Sequence, residues 1–418
     1  MDNILKRIDG KYMVDSNGNF LTDIQLPYIE FTIQGETFPT YLTTSVPSRY
    51  FRFESSDENT IFIDFGDGSP VHSESFSGFI NYQTPIHTYN ATGDYTVKLW
   101  FEHPQLVSYM RFSYVNFVGL FPLNIGLYNL SNLHINNAKF TDFPIISGGI
   151  FELIRIDNIT TTTVNFLPSW ITASRITNLR IGIGFDLSDL EVNNLEKLIN
   201  VQGLESCHIS NTVTNASLPA NLAAIETLRV LGFGSSPITE IGSVINSCKQ
   251  IEQLSVGRDT GGFNVLNSSF NSWGLGVADM PNLKQLRLQF CENLPASIPT
   301  GVATAPLLKT IDMHGSYQTQ LKIDDAVDSF YAKVVSDASM ATGNTLLRQV
   351  VWNVGWVTNT NKNNRPSGTY QEPSGYVQGV SNGTPASQLE KIWVLVNQYK
   401  WIVTVTNESG TGNQIFAP

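Results

Sequence analysis

The stretch Leu283-Lys284-Gln285-Leu286-Arg287-Leu288 decides the fold of this chain, because its spacing of apolar residues recurs along the sequence. The spacing is an apolar residue, two others, a second apolar residue, one other and a third apolar residue. It occurs nine times, as Leu130-Leu133-Ile135, Phe151-Ile154-Ile156, Ile176-Leu179-Ile181, Leu204-Cys207-Ile209, Ile225-Leu228-Val230, Ile251-Leu254-Val256, Leu283-Leu286-Leu288, Leu308-Ile311-Met313 and Leu347-Val350-Trp352. Successive middle residues are 21, 25, 28, 21, 26, 32, 25 and 39 residues apart. This period predicts stacked copies of one small unit.

The repeated spacing resembles that of leucine-rich-repeat proteins, whose solenoids carry one short parallel strand per repeat. The resemblance covers residues 125–355 and implies that the second and third apolar residues of each copy point inward. The Asn that follows the strand in this family is mostly missing here, and the steps are irregular. We therefore expect an irregular curved stack whose turns satisfy their backbone groups by other means. In the last step, apolar residues at 323, 326, 327, 330, 331 and 334 predict a helix on the flank of the solenoid.

Residues 46–115 contain short β-type runs between turns with Gly and Pro, which indicates a small β-sandwich. Three of its segments resemble, in order, the DFGDG, HTY and G-x-Y-x-V motifs of polycystic-kidney-disease (PKD) type immunoglobulin-like domains: Asp64-Phe65-Gly66-Asp67-Gly68, His87-Thr88-Tyr89 and Gly93-Asp94-Tyr95-Thr96-Val97. Ile63 departs from the family, which usually has an aromatic residue before the first motif. Asp64 and Asp67 are interpreted as caps of a tight turn, with a calcium site as the alternative.

The two ends of the chain differ from its middle. Residues 1–45 predict an N-terminal arm with short strands, which is a simple extension, adds to a neighbouring sheet or docks onto a partner chain. Residues 356–418 contain apolar runs at 392–396 and 401–405 around a four-residue connection, which predicts a β-hairpin that caps the open end of the solenoid. The predicted fold is thus multidomain and β-rich: a PKD-like β-sandwich, an irregular leucine-rich-repeat solenoid and a small C-terminal β cap.

The composition narrows the classes of function. The net charge is −11 and no run of Lys or Arg occurs, which argues against nucleic acid as a partner. The sequence has neither an apolar stretch long enough to span a bilayer nor a secretory signal at its start, so we expect no membrane insertion. Cys207, Cys248 and Cys291 lie far apart and indicate small buried side chains, not a disulfide framework.

Motifs for catalysis, metals or cofactors are missing from the sequence. The six histidines form no H-E-x-x-H and pair with no C-x-x-C, and there is no P-loop or nucleophile elbow. Gly182 and Gly184 lack the third glycine and the helix of a dinucleotide-binding turn. Asp324 and Asp325 are neighbours on the predicted helix and so point apart. We expect a protein that is not an enzyme and that needs no metal or cofactor.

The strongest candidate site is the outward face of the repeat strands. Because side chains alternate along a strand, residues two and four places after the first apolar residue point away from the core. The fourth places are mostly Arg or His: His134, Arg155, Arg180, His208, Arg229, Ser255, Arg287, Asp312 and Val351. The second places are mostly uncharged hydrogen-bonding residues: Asn132, Leu153, Asn178, Ser206, Thr227, Gln253, Gln285, Thr310 and Gln349.

Two interpretations of this face remain open. Glutamates stand three places before several of the basic residues, so the face is either a self-neutralising surface of little net stability or a binding surface. As a binding surface it recognises an anionic or polyhydroxyl ligand through directional bonds from Arg. Lys284, Lys309 and Arg348 replace the Glu in the last repeats, which places the ligand near Arg287. The other predicted site residues are Arg155, Arg180, His208, Arg229, Gln253, Gln285 and Lys284.

The two resemblances together imply binding or assembly, in one of two settings. In the first, the chain is a structural component of a bacteriophage virion or tail. In the second, it is an exported bacterial cell-surface adhesin that combines PKD-like and leucine-rich modules. Both settings imply contact with protein or glycan, with other virion or surface proteins, a host glycan or a receptor as partners. Both also imply membership of a multimeric assembly.

Overall fold

Parallel strands stacked edge to edge form the larger part of the molecule, as shown by a computed structural model of the chain. The structure describes residues 6–8, 12–14, 28–34, 37–38, 51–82, 87–113, 115, 117–118, 130–136, 138, 150–157, 175–181, 201–210, 220–234, 248–257, 280–289, 291, 307–317, 319–336, 351–355, 363–377 and 384–418.

Twenty strands and two α-helices occur within these residues. The first strands are β1 (Lys6–Ile8), β2 (Tyr12–Val14), β3 (Ile29–Gln34), β4 (Thr37–Phe38), β5 (Phe51–Asp64), β6 (His72–Tyr82), β7 (His87–Thr88), β8 (Asp94–Phe101) and β9 (Val107–Ser113). They are followed by β10 (Asn132–Asn136), β11 (Ile150–Asp157), β12 (Arg175–Ile181), β13 (Ser206–Ser210), β14 (Val230–Gly234), β15 (Gln253–Gly257), β16 (Gln285–Gln289), β17 (Thr310–Asp312), β18 (Val351–Val354), β19 (Ile402–Thr406) and β20 (Asn413–Phe416). The helices are α1 (Gln320–Ser336) and α2 (Gln388–Asn397).

Strands β9 to β19 pair in chain order, each parallel to the next, and form one long sheet. Leu133, Ile154 and Leu179 are lateral neighbours in this sheet, and all three are fully buried. The same alternation buries Leu286 and Ile311 further along. The chain is therefore β-rich, with a long and mostly parallel sheet of the kind that a leucine-rich-repeat solenoid has.

A buried amide from outside the repeats satisfies backbone groups in the last turns of the solenoid. Asn363, fully buried, donates through Nδ2 to the carbonyl oxygens of Met313 and Val354, at 3.2 and 2.8 Å. Its Oδ1 accepts from the backbone N–H of Tyr317 at 2.6 Å. One amide from beyond the repeats thus satisfies three buried backbone groups of the last turns, as burial of such groups requires.

Antiparallel strands β3, β5, β6, β8 and β9 form the N-terminal part of the same sheet, and β4 pairs with β7 in a separate two-stranded sheet. The β-type runs predicted within 46–115 are strands, whereas membership of the PKD family stays a prediction. Strand β9 pairs with β5 on one side and β10 on the other, so the antiparallel unit and the solenoid share one sheet. A single core of buried side chains runs through both.

The predicted N-terminal arm contributes a strand to the antiparallel unit that follows it. Strand β3, which lies in the predicted arm, pairs antiparallel with β8. Its Ile29, Phe31 and Ile33 are buried in the core of the antiparallel unit. The arm therefore adds a strand to a sheet of its own chain. Strands β1 and β2 pair only with each other among the described residues.

The DFGDG segment forms a tight turn whose two aspartates bind backbone and side-chain groups. Asp64 Oδ1 accepts from the N–H of Gly66 at 2.9 Å, and Asp67 Oδ1 accepts from the N–H of Ser69 at 3.0 Å. Asp67 Oδ2 also lies 2.7 Å from Nε2 of His87. The buried Tyr89 hydroxyl donates to the carbonyl oxygen of Phe65 at 2.9 Å, which ties the turn to the next loop.

The C-terminal cap is built differently from the predicted hairpin. Residues 392–396 belong to helix α2, and only the second predicted strand exists, as β19. Ser387 Oγ accepts from the N–H of Glu390, and the Glu390 carboxylate accepts from the N–H of Ala386, so the side chains cap the helix reciprocally. Strand β19 extends the parallel stack, and β20 then pairs antiparallel with it at the end of the sheet.

Helix α1 confirms the helix predicted on the flank, with Ile323, Ala326, Val327, Phe330 and Val334 buried. Its Phe330 ring stacks on Trp352 of β18 at 3.9 Å between centroids and meets Trp401 edge-on at 4.9 Å. These fully buried rings cover the apolar end of the last repeats. Among the described segments, no helix is long and apolar enough to cross a membrane.

Candidate functional site

The pairing register brings the basic side chains of successive strands together on the open face of the sheet, defined as the face opposite the buried Leu, Ile and Val side chains. In parallel register, His134 lies beside Arg155, Arg155 beside Arg180, and Arg180 beside His208. All four residues are half-buried, as expected of side chains that lean on their lateral neighbours. Neighbouring strands are about 4.8 Å apart, so the four groups form a closely spaced line.

Two arginines that the sequence analysis did not include extend this line into the antiparallel unit. Arg111 of β9 is the lateral neighbour of His134, and Arg52 of β5 is the lateral neighbour of Arg111. Because both lie outside the repeats, only the pairing of β9 with β5 and with β10 reveals them. We call the complete line the basic row, which consists of Arg52, Arg111, His134, Arg155, Arg180 and His208.

Aromatic rings hold the first guanidinium of the basic row. The Arg52 guanidinium carbon lies 3.6 Å above the centre of the Phe79 ring and 5.7 Å from the centre of the Tyr109 ring. Burial raises the pKa of the Tyr109 hydroxyl, while the charges of Arg111, Arg52 and Arg155 act in the opposite direction. The charges of three guanidinium groups thus act on one phenol.

Two donors in the basic row are buried without an acceptor. Nε of Arg52 and Nε of Arg180 have no hydrogen-bond partner among the residues that the structure describes. A buried donor without a partner costs about 1–3 kcal/mol. Arg111, in contrast, donates from Nε to the Ser113 hydroxyl at 2.9 Å. Within the described residues, the basic row therefore has two N–H donors, on Arg52 and Arg180, that a ligand could use.

The structure overturns the predicted place of Arg229. Strand β14 pairs Leu231 with Cys207 and Gly232 with His208, so Gly232 occupies the outward position assigned to Arg229. A Cβ atom at Gly232 would lie 2.3 Å from Nδ1 of His208, because the imidazole fills the space above the glycine. Arg229 precedes the strand, and its guanidinium donates to the carbonyl oxygen of Glu226 at 2.6 Å.

Arg229 instead belongs to a second line of charges that runs just before the strands. Its N–H donates to the carbonyl oxygen of Glu205 at 2.8 Å, and its own carbonyl oxygen accepts from the N–H of Glu252 at 2.7 Å. Lys284 comes next, with its Nζ 2.6 Å from Oε2 of Glu252. Lys284 is thus paired with Glu252, and Arg229 bonds to a backbone carbonyl oxygen, so neither cation belongs to the line of outward side chains on the strands.

The ninth repeat is displaced in a similar way. Strand β18 pairs Trp352 with Ile311 and Asn353 with Asp312, so Asn353 and not Val351 takes the outward fourth place. Trp352 and Val354 are the buried residues of this strand. The other seven predicted fourth places, from His134 to Asp312, lie in one lateral line across the strands, as predicted.

At the C-terminal part of the face, which is predicted to be the least neutralised, Asp312 interrupts the line of basic side chains. Arg287 donates to Gln285 Oε1 at 2.9 Å, and its lateral neighbour is Asp312. Asp312 in turn accepts from Gln289 at 2.6 Å and contacts the buried His314 imidazole at 2.6 Å. The uninterrupted basic row therefore lies at the other end of the face.

The uncharged predicted site residues are engaged locally. Gln253 Nε2 donates to the Ser255 hydroxyl at 3.3 Å, and Gln285 accepts the bond from Arg287. In the part of the chain that the structure describes, no group of three His, Cys, Asp or Glu side chains is placed to hold a metal ion. The three cysteines are buried and unbridged, as predicted. The glycine pair Gly182 and Gly184 lies outside the described residues.

No protein-family model and no curated protein sequence matches the chain. Solved structures similar to it include the crystal structure of an internalin from Listeria monocytogenes, which is 15% identical in sequence. That similarity covers 52% of this chain and 78% of the internalin chain, with a TM-score of 0.24.

Proposed function

We propose that this chain is a non-enzymatic binding and structural component of a bacteriophage virion or tail, which uses the open face of its sheet to hold a partner. The observation that carries the proposal is the basic row, a line of six cationic or imidazole side chains on adjacent strands. A chain with a net charge of −11 has concentrated these groups on one face.

Repulsion supports a binding role for this face. Arg52 beside Arg111 and Arg155 beside Arg180 are like charges on neighbouring strands, about 5 Å apart, and such pairs destabilise a sheet. An anionic partner on the open face lowers this repulsion, which favours binding there. Guanidinium groups also accept carboxylate, sulfate or phosphate in a fixed fork geometry, which gives directional recognition.

The virion or tail setting rests on the combination of a PKD-like unit and a repeat solenoid. An exported bacterial surface adhesin with the same two kinds of module is the alternative setting. Both settings predict partners among other virion or surface proteins, host glycans or receptors, and a place in a multimeric assembly. The shared sheet supports such a place, since the two units present one continuous surface to a partner.

Mass spectrometry of purified particles and of cell-surface fractions tests the setting. Recovery of the chain in particles supports the virion role, whereas recovery only in the surface fraction supports the adhesin. The role of the face is tested by capture of partners with the full chain and with the charge-reversal variant Arg155→Glu/Arg180→Glu. Loss of the captured partner in the variant supports binding through the open face, and unchanged capture contradicts it.

A further inference from the structure

We propose that the basic row is the binding site of a linear acidic polysaccharide, which crosses from the antiparallel unit onto the solenoid. This inference rests on the proposed function and names the ligand of the same face. The shared chemistry is a chain of sugar rings that carry carboxylate or sulfate groups. The site requires both units of the protein, because Arg52 lies on β5 and His208 on β13.

The length and spacing of the basic row fit an extended polymer. Six adjacent strands contribute one side chain each, so the row spans five intervals of about 4.8 Å, or roughly 24 Å. A single small anion would engage two or three of these groups. An extended polyanion engages the whole row and gains from several weak contacts at once.

Neutral side chains beside the basic row favour a ligand with hydroxyl groups. Asn132, Asn178 and Ser206 lie two residues before the row on β10, β12 and β13. Asn132 and Asn178 each use Nδ2 for a bond within the protein, to the Ser131 hydroxyl and to the carbonyl oxygen of Glu152. Their Oδ1 atoms are acceptors that suit sugar hydroxyl donors.

An aromatic platform at the start of the row favours sugar rings over an acidic peptide. Phe79 is 46% exposed, and its ring meets the Tyr109 ring edge-on at 6.1 Å between centroids. The Arg52 guanidinium lies over the Phe79 ring, so an apolar surface and a cation adjoin each other. Sugar rings present apolar C–H faces beside polar groups, which matches such a surface. Glu54 is the lateral neighbour of both Phe79 and Tyr109, and among the described residues it is the one carboxylate on this platform.

The same features disfavour a nucleic acid. Proteins that bind single strands without sequence preference stack successive bases on aromatic side chains along the groove. Here the aromatic side chains gather at one end, beside Arg52, and Asn, Leu and Ser residues accompany the rest of the basic row. The net charge of −11 also opposes a long phosphate polymer outside the row.

The test is direct binding of the purified full chain to polygalacturonate and to heparin, which represent the carboxylate and sulfate sources. Titration calorimetry at low and at 0.15 M salt, about physiological ionic strength, should give binding that weakens with salt. Dextran, polyglutamate and oligothymidylate serve as neutral, peptide and nucleic-acid comparisons. We expect at least about tenfold tighter binding of one acidic polysaccharide than of any comparison polymer, as several charge-assisted contacts imply.

A matched pair of double variants locates the site. Each of two double variants removes two positive charges: Arg155→Gln/Arg180→Gln and Arg229→Gln/Arg287→Gln. Only Arg155 and Arg180 lie in the basic row. We expect the first to weaken polysaccharide binding about tenfold or more and the second by less than about twofold. Melting temperatures measured by circular dichroism verify folding. Arg155→Lys/Arg180→Lys keeps the charge, removes the fork and should give an intermediate loss.

Three results would overturn the inference. The first is that neither acidic polysaccharide binds, and the second is that polyglutamate or oligothymidylate binds as tightly. The third is that both double variants weaken binding equally. If the chain still captures a partner that the charge-reversal variant loses, these results reject an acidic polysaccharide as the ligand but do not contradict the proposed function.

Discussion

Replacing Gly66 with Ala should destabilise the antiparallel unit much more than replacing Gly68 with Ala, although both glycines lie in the same turn. Gly66 has φ +76° and Gly68 has φ +82°, so an L side chain at either position adopts a strained left-handed conformation. The two positions differ in their surroundings. A Cβ atom at Gly66 would lie 2.1 Å from the backbone oxygen of Thr96, whereas a Cβ atom at Gly68 would meet no atom within 4 Å.

The magnitudes follow from this difference. The left-handed conformation costs about 1–2 kcal/mol in each variant. Gly66→Ala adds the cost of displacing strand β8, since the clashing atom is backbone and cannot rotate away. Overpacking of this kind costs about 1–3 kcal/mol more, for a total of roughly 2–5 kcal/mol. Strand β8 is held between β5 and β3, so the displacement strains both pairings.

Hydrogen–deuterium exchange of peptides that cover 94–101 is the local measurement, with urea unfolding as the global one. A loss of about 2 kcal/mol accelerates exchange through opening roughly 30-fold. Gly66→Ala should reach or exceed that acceleration in β8, whereas Gly68→Ala should accelerate exchange there less, by no more than its left-handed strain of about 1–2 kcal/mol allows. Equal protection of β8 in the two variants would refute the reasoning, because the shared backbone strain would then explain everything.

Three further predictions concern the cap, the turn and the cysteines. Trp401→Ala should lower the free energy of unfolding by about 3–5 kcal/mol, because the ring is fully buried against the end of the solenoid. Trp401→Phe should keep part of this stability. Thermal melts of the alanine variant that equal those of the parent protein would contradict this role. Hydrogen bonds from Ser69 and the charge of the His87 imidazole lower the pKa of Asp67 from 3.8 to about 2, so the carboxylate stabilises the fold fully above about pH 4 and loses this effect as the pH falls through about 2. Asp67→Asn should therefore be less stable than the parent protein at pH 7, and urea titrations in acid should show the difference in stability closing. A difference that does not depend on pH would contradict this prediction. Burial raises the pKa of Cys248 to about 11 and of Cys207 to about 12, and it also raises the pKa of Cys291. Iodoacetamide at pH 8 should therefore label the three thiols in urea but not in the native chain, as measured by mass spectrometry. Equal labelling of the native and the unfolded chain would be the contrary result.

The apolar spacing predicted the strands well where it occurs once per repeat. In the fifth repeat two copies overlap, since Ile225-Leu228-Val230 and Leu228-Leu231-Phe233 have the same spacing. Either frame buries Leu228, and hydrophobicity does not choose between them. Pairing of β14 with β13 and β15 selects the second frame, which moves Arg229 off the open face. A local pattern cannot contain this choice, because it is made by neighbouring strands.

The helix of the cap was missed for a different reason. The apolar run at 392–396 is compatible with a buried strand or with a buried helix, and its length does not decide between them. A local signal was present in Ser387 and Glu390, which have the spacing of a capping box. Packing of α2 beside α1 then settles the matter, with Lys391 paired to Asp328 across the two helices.

The sequence by itself determined that the chain stacks short parallel strands, that α1 covers their flank and that the DFGDG segment makes a tight turn. These features depend on spacing and on residues close together in the chain. The tertiary structure alone decided where the line of basic side chains begins and ends. It joined Arg52 and Arg111 to the basic row, removed Arg229 from it and placed Asp312 beside Arg287. The physical reason is that hydrogen bonds between strands set the lateral register, and these bonds connect residues that are distant in the sequence.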